Sequence, residues 1–372
     1  MKLLDRSSAL CASLLMLLLC PCVLAHTAGR SCTPQFPLQQ GLARGWLGAD
    51  AAYSIPLSDG RDVWIFGDTL FGQQRAVHDT TPTMVRNSIG ISTCIDGHWK
   101  LDYVIRKDAE GRAADFFKAQ HPNTWYWALD GFVSGKDLWV TLLCVRDTPA
   151  QSQAMAFESC GTDVARIVSP GPDPQHWKID YFPLVPDGAH AYPSATAVVD
   201  GGYAYIFALM ESGMRPLLAT RIPLNGLSDP ARNLEYLAND GAWRKGFDPA
   251  KAMPVMQKGS PELSIRYHPD RKQWIAVMFE PDAFSSKIRL RTAPALTGPW
   301  TEGEVIYQVP EMEPQNPGYD KDTFCYAGKE HPEFERGDLV FTYVCNTFDV
   351  PKLATNLNIY YPRVVRMAMP PR

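Results

Sequence analysis

The sequence has little helical periodicity, and no long amphipathic stretch places apolar residues along one helix face. That argues against a helical bundle. It also lacks an excess of positive charge: 36 Lys and Arg stand against 40 Asp and Glu, for a net charge of −4. No basic surface for nucleic acid is therefore expected. The apolar run from Leu14 to Leu19 is too short to span a bilayer, which takes roughly 20 residues. Histidines are scattered, with no His-Glu-x-x-His or paired-Cys motif, so neither metal nor cofactor is expected. Gly-x-Ser-x-Gly and Walker loops are missing as well, which counts against serine hydrolases and nucleotide-binding enzymes.

What is present begins with an export pattern. Lys2 and Arg6 precede the apolar run, and Val23-Leu24-Ala25 fits a signal-peptidase site. Cleavage after Ala25 would leave residues 26–372 as a single domain, secreted or periplasmic. Of the nine cysteines, Cys11, Cys20 and Cys22 leave with the signal. The even remainder (Cys32, Cys94, Cys144, Cys160, Cys325 and Cys345) suggests disulfides. Cys144 and Cys160 flank a polar loop and are placed to bridge neighbouring strands. Cys32 and Cys345, near the two ends of the mature chain, suggest a closing staple.

Short runs rich in Val, Ile, Tyr, Phe and Trp recur between Gly, Pro, Asp and Asn punctuation. They fall into about five groups of three or four, beginning near Ala51, Leu129, Ser194, Glu262 and Thr323. This predicts an all-β, five-bladed β-propeller of four-stranded antiparallel blades. A jelly roll or sandwich would use fewer strands. The proline-rich stretch Pro310 to Pro317 reads as an inter-blade loop. The 10 Trp and 15 Tyr suit either sugar-stacking platforms or a large sheet core.

The most informative segment runs from Trp46 to Thr69. Asp59-Gly60 between two apolar-rich runs is a hairpin signal. Asp50 lies nine residues before Asp59 and Asp68 nine after, so an unbulged hairpin makes them cross-strand partners. Opposed like charges destabilise a sheet, and close carboxylates drive their pKa values apart. That division suits glycoside hydrolysis, in which one acid protonates the leaving oxygen while the other serves as base or nucleophile. The plainer alternative makes Asp50 a loop cap and Asp68-Thr69 an Asx-type turn.

Asp130, before Gly131, enters the second group of strands, either as a funnel carboxylate or as part of a turn. Glu262 holds the corresponding place in the fourth group, or else pairs with Arg266 on a strand face. His331 would bind sugar hydroxyls or fill the axis, and His190 and Tyr192 precede the third group. Ser58-Asp-Gly-Arg-Asp-Val-Trp64 approaches the Asp-box of sialidase propellers but misses its spacing.

Gly48-Ala-Asp50, Ser54-Ile-Pro-Leu-Ser-Asp-Gly-Arg61 and Trp64-Ile-Phe-Gly-Asp68-Thr69 resemble the start of the five-bladed propeller endo-D-arabinanases, long catalogued as a domain of unknown function. Arg86-Asn87-Ser88, Trp127-Ala-Leu-Asp130-Gly131, Glu262-Leu-Ser-Ile-Arg266-Tyr267, Arg291-Thr-Ala-Pro and Gly298-Pro-Trp300 extend the resemblance, which covers about Gly45 to Arg366. It implies an endo-acting hydrolase of D-arabinan with Asp50 and Asp68 as catalytic carboxylates. It also implies a charge-modulating role for Asp130. Asn87, Glu262, Arg266 and His331 would line the cleft, with a polysaccharide as the partner. The rival readings are a furanosidase of another specificity, a sugar-binding propeller without turnover, and a structural envelope protein.

Overall fold

The computed structural model describes residues 32–75, 83–148, 156–211, 213–282, 284–349 and 351–371. The expected export signal, residues 1–25, lies outside them. Alternating apolar residues in short runs cut by turns favour strands, which gather into five main antiparallel sheets in chain order. Their innermost strands are Gly45–Pro56, Trp125–Ser134, Ala191–Asp200, Leu263–His268 and Thr323–Glu330. Each packs on the next and the fifth returns to the first, so the sheets are the blades of a closed propeller. The expected four-strand plan is met directly in blades 2 and 4. Blades 1 and 3 add short extra strands, and blade 5 has three strands among the described residues.

Every blade is covered on both faces, which is why its strands are apolar on both. One cluster, with Tyr53, Ile65, Tyr126 and Val140, fills the space between blades 1 and 2. Equivalent clusters fill the next three gaps. At the closing gap Phe36, from the segment before blade 1, joins Trp64 and Phe66 of blade 1 to Phe334 and Val340 of blade 5. The Phe36 ring meets Trp64 edge-on, with centroids 4.9 Å apart. Cys144–Cys160 forms as expected, across adjacent strands of blade 2. The expected Cys32–Cys345 staple does not. Cys32 pairs with Cys94 of blade 1, and Cys345 with its cross-strand neighbour Cys325. The ring is closed by apolar packing of the entering segment, and each disulfide stays local.

Four of the five inner strands carry a register shift midway, and only that of blade 4 pairs regularly. Bulges bend a strand and re-aim its side chains. Here four bulged strands and the regular strand of blade 4 bring polar groups to the axis. Arg266 Nη2 of blade 4 lies 3.1 Å from both carboxylate oxygens of Asp130 of blade 2. Asp130 also accepts from Thr196 Oγ1 and the Ala197 amide of blade 3, at 2.7 and 2.9 Å. Lys329 of blade 5 donates to Glu262 at the head of blade 4, at 2.9 Å, and to the Ala51 carbonyl of blade 1. The two ion pairs meet in blade 4 and reach all five blades.

Replacing Arg266 by Leu leaves the fully buried Asp130 without a cation. Breaking such a pair should cost about 3–5 kcal/mol in urea unfolding. Arg112→Leu, at an exposed surface pair, should change stability by less than about 0.5 kcal/mol. Equal effects would remove the axial pair from its structural role.

Candidate active site

The hairpin turn forms as read. Leu57 and Arg61 bracket it, with a 2.8 Å bond from the Leu57 amide to the Arg61 carbonyl, and Gly60 takes φ +90°. From there Pro56 to Tyr53 pair with Asp62 to Ile65, as symmetry about Asp59 requires. The strands then depart from the unbulged hairpin expected from the sequence. Ala52 is extra on the inner strand, and Asp50 is opposed by both Gly67 and Asp68. One insertion on each strand cancels the other, so Ala49 again faces Thr69 and Gly48 faces Leu70. Asp50 and Asp68 therefore still meet, at a paired bulge. Ala51 and Ala52 both take φ +63°, a left-handed conformation that costs a non-glycine residue about 1–2 kcal/mol. Gly67 is needed opposite, because a Cβ there would collide with Asp50 Oδ1.

The two acids have different surroundings. Burial holds the Asp50 carboxyl well above the usual carboxylate range, and the charges of Asp68 and Glu262 add to this. Tyr326 Oη donates to Asp50 Oδ2 at 2.7 Å, and with Lys329 it opposes the shift without cancelling it. Asp68 is pushed up to about 6, chiefly by burial. Arg86 Nη1, 3.4 Å from Asp68 Oδ2, pulls it back down, as does Trp127 Nε1 at 3.4 Å from Oδ1. Pairing the charges explains the difference. Asp130 has Arg266, Glu262 has Lys329 and Asp68 has Arg86, which leaves Asp50 with a phenol as its polar partner. With no cation bonded to it, Asp50 is the acid whose burial and acidic neighbours favour the protonated form.

Of the other residues singled out from sequence, Asp130, Glu262 and Arg266 come to the axis as ion-paired groups. Asn87 is buried and pins strands, with Nδ2 on the Phe117 and Tyr126 carbonyls and Oδ1 accepting from the Phe117 amide at 2.7 Å. His331 is buried too, its ring nitrogens 2.6 Å from Ser54 Oγ and 2.8 Å from Thr342 Oγ1. Burial keeps its pKa well below the ordinary imidazole value. His190 is exposed beside Glu211, and the Tyr192 hydroxyl caps the Gly188 amide. Neither joins the acids.

Sequence reasoning gave no role to Arg86, Trp127, Tyr326, Lys329 or Tyr360. Arg86 and Trp127 stood inside segments already noted. Lys329 left one signal, a lysine in the apolar run of an inner strand. Tyr360 Oη donates to the Asp68 carbonyl at 2.9 Å. Its loop is gathered by the buried Arg75, which donates to the carbonyls of Leu47, Leu353, Asn356, Ile359 and Tyr360. Burial lowers the Arg75 pKa to about 10. Gly48 is required in the same place, since a Cβ there would strike the Tyr360 carbonyl.

Two further groups of potential metal donors occur among the described residues. Glu311 lies beside Cys325 and Cys345, which are joined in a disulfide. His268 and Glu330 end their strands, away from Glu262 and Tyr326, and Glu335 of the following turn joins them, with donor atoms within 4.8 Å of one another. His268 Nε2 is 2.5 Å from Glu330, and Glu335 is pushed up to about 11 by burial and by Glu330. A proton on Glu335 relieves the repulsion there without an ion.

A family model described as a domain of unknown function (DUF5005) matches residues 40–369. A Bacteroides ovatus ATCC 8483 protein, provisionally named a hydrolase, superposes with a TM-score of 0.68 at 16% identity, over 87% of this chain and 86% of that one. It shares the fold. A xylan β-1,4-xylosidase from Bacillus halodurans C-125 gives a TM-score of 0.45 at 9% identity, over 84% of this chain and 51% of that one. An exo-1,5-α-L-arabinanase from a bovine ruminal metagenomic library gives 0.45 at 10% identity, over 89% and 94%. No curated protein matches the sequence.

Asp68 is harder to ionise in the fold than in the unfolded chain. Its contribution to stability is thus complete below the ordinary carboxylate range and is lost as pH rises through about 6. Asp68→Asn removes this loss. Its melting temperature should exceed that of the wild type above pH 6, with the gap narrowing toward about pH 4. A gap independent of pH would contradict the assignment.

Proposed function

The chain belongs to the family described as a domain of unknown function (DUF5005), and from its axial chemistry we propose that it is an exported glycoside hydrolase of furanosidic polysaccharide, acting within D-arabinan chains. One observation carries this reading: two carboxylates meet at a paired bulge, Asp50 bonded to a phenol and held toward its protonated form, Asp68 beside Arg86 and pushed up to about 6. Asp50 is the general acid that protonates the departing glycosidic oxygen. Asp68, charged at neutral pH, attacks the anomeric carbon or takes the proton of an attacking water. Asp130 and Glu262 act through their cations to set the field around the pair. The motifs from Gly48 to Thr69 support D-arabinan as substrate, and three disulfides with the N-terminal pattern support export.

The test is release of reducing ends from D-arabinan and L-arabinan by the wild type, Asp50→Asn and Asp68→Asn. Each variant should lose at least about 100-fold in rate. Equal activity in all three would sink the assignment, and binding without cleavage by the wild type would favour a sugar-binding propeller. Rate should fall on the acid side as Asp68 protonates near pH 6. Because Arg86 lowers the Asp68 pKa, Arg86→Leu should move that limb upward, with loss at pH 6.5 recovered at higher pH.

A further inference from the structure

An aromatic ladder leads away from Asp50. Tyr326, whose hydroxyl holds Asp50, stacks on Phe324 with centroids 5.6 Å apart, two residues earlier on the same strand. Phe324 stacks in turn on Phe348 at 4.4 Å, and Phe284 meets both edge-on, at 5.5 and 5.1 Å. Phe284 comes from the loop between the second and third strands of blade 4. Phe348 follows the middle strand of blade 5. Strand directions put both at the Asp50 end of the axis. They remain 54% and 46% exposed, so this is surface and not core. Exposed contiguous aromatics on a soluble protein mark a binding surface.

We propose that the exposed rings of Phe348 and Phe284, backed by Phe324 and joined through it to Tyr326, form a stacking platform for sugar units of the polymer on the Asp50 side of the bond to be cleaved. The proposal rests on the hydrolase reading for the identity of the polymer. Uncharged rings suit the C–H faces of neutral sugars, and direct contact with an acid's hydrogen-bond partner makes the platform continuous with the reaction centre. On the other side of the pair Trp127, beside Asp68, meets Phe157 at 4.7 Å. Aromatic rings thus flank the acids on both sides.

The experiment compares the wild type with Phe324→Ala, Phe348→Ala and the Phe284→Ala/Phe348→Ala double variant, after thermal melting confirms folding. Activity is measured on D-arabinan and on an aryl arabinofuranoside that carries a single sugar. The ratio of polymer to aryl-glycoside kcat/KM should fall at least tenfold, through KM for the polymer. An unchanged ratio beside an active wild type would overturn the platform while leaving the hydrolase reading intact. Retardation in arabinan-containing gels gives a readout independent of turnover. Retardation of an inactive wild type, lost in the Phe variants, would uphold the platform and discard hydrolysis. If neither the wild type nor Asp50→Asn is retarded or active, both fail.

Discussion

Two buried ion pairs, Asp130 with Arg266 and Glu262 with Lys329, organise the centre of this propeller. The Arg266 and Lys329 side chains are only 17% and 1% exposed, so neither charge is held by water. Buried charges demand partners. Those partners are distributed so that blade 4 is tied to blades 1, 2, 3 and 5. Since the cations are already committed to Asp130 and Glu262, and Arg86 to Asp68, Asp50 receives none. Lys329 also lies 4.3 Å from the Tyr53 ring centroid, and burial depresses its pKa. The tuning of the acids is thus a consequence of how the ring is held together.

The bulges turn that arrangement into geometry. A regular strand alternates its side chains between two faces, and in a blade both faces are occupied by neighbouring blades. A third direction, toward the axis, opens where the alternation fails. Leu129 and Asp130 face a single residue of the next strand, and Ala327 takes φ +60° just before Lys329. Left-handed backbone at Ala51, Ala52 and Ala327 and the lost pairing of these strands fall at the level of the axis where polar groups are required.

Much of this was legible in the sequence. Strand-like runs in five groups follow from residues that prefer pleated, half-buried surface, so the propeller could be read. The turn at Asp59-Gly60 fixed the register near it, which brought Asp50 and Asp68 together on paper. The bulges were not legible, because Ala51 and Ala52 carry no sign of left-handed backbone. The prediction of facing acids holds because two insertions cancel. His331 and Asn87 showed the limits of reading polarity as function: both are polar, and both spend every polar atom inside the protein. Tyr326 and Lys329 went without a role because their partners lie about 70 to 280 residues away. The expected Cys32–Cys345 staple failed for a related reason. Proximity of chain ends says nothing about which strand passes beside Cys94.

The seam between blades 5 and 1 runs through the candidate site. Asp50 and Asp68 belong to the first blade made, whereas Tyr326, Lys329 and Tyr360 belong to the last. A nascent or truncated chain holds both carboxylates but not the phenol, the ammonium or the loop that set their chemistry. The surroundings of the two acids are therefore completed only at ring closure, when the last blade reaches the first.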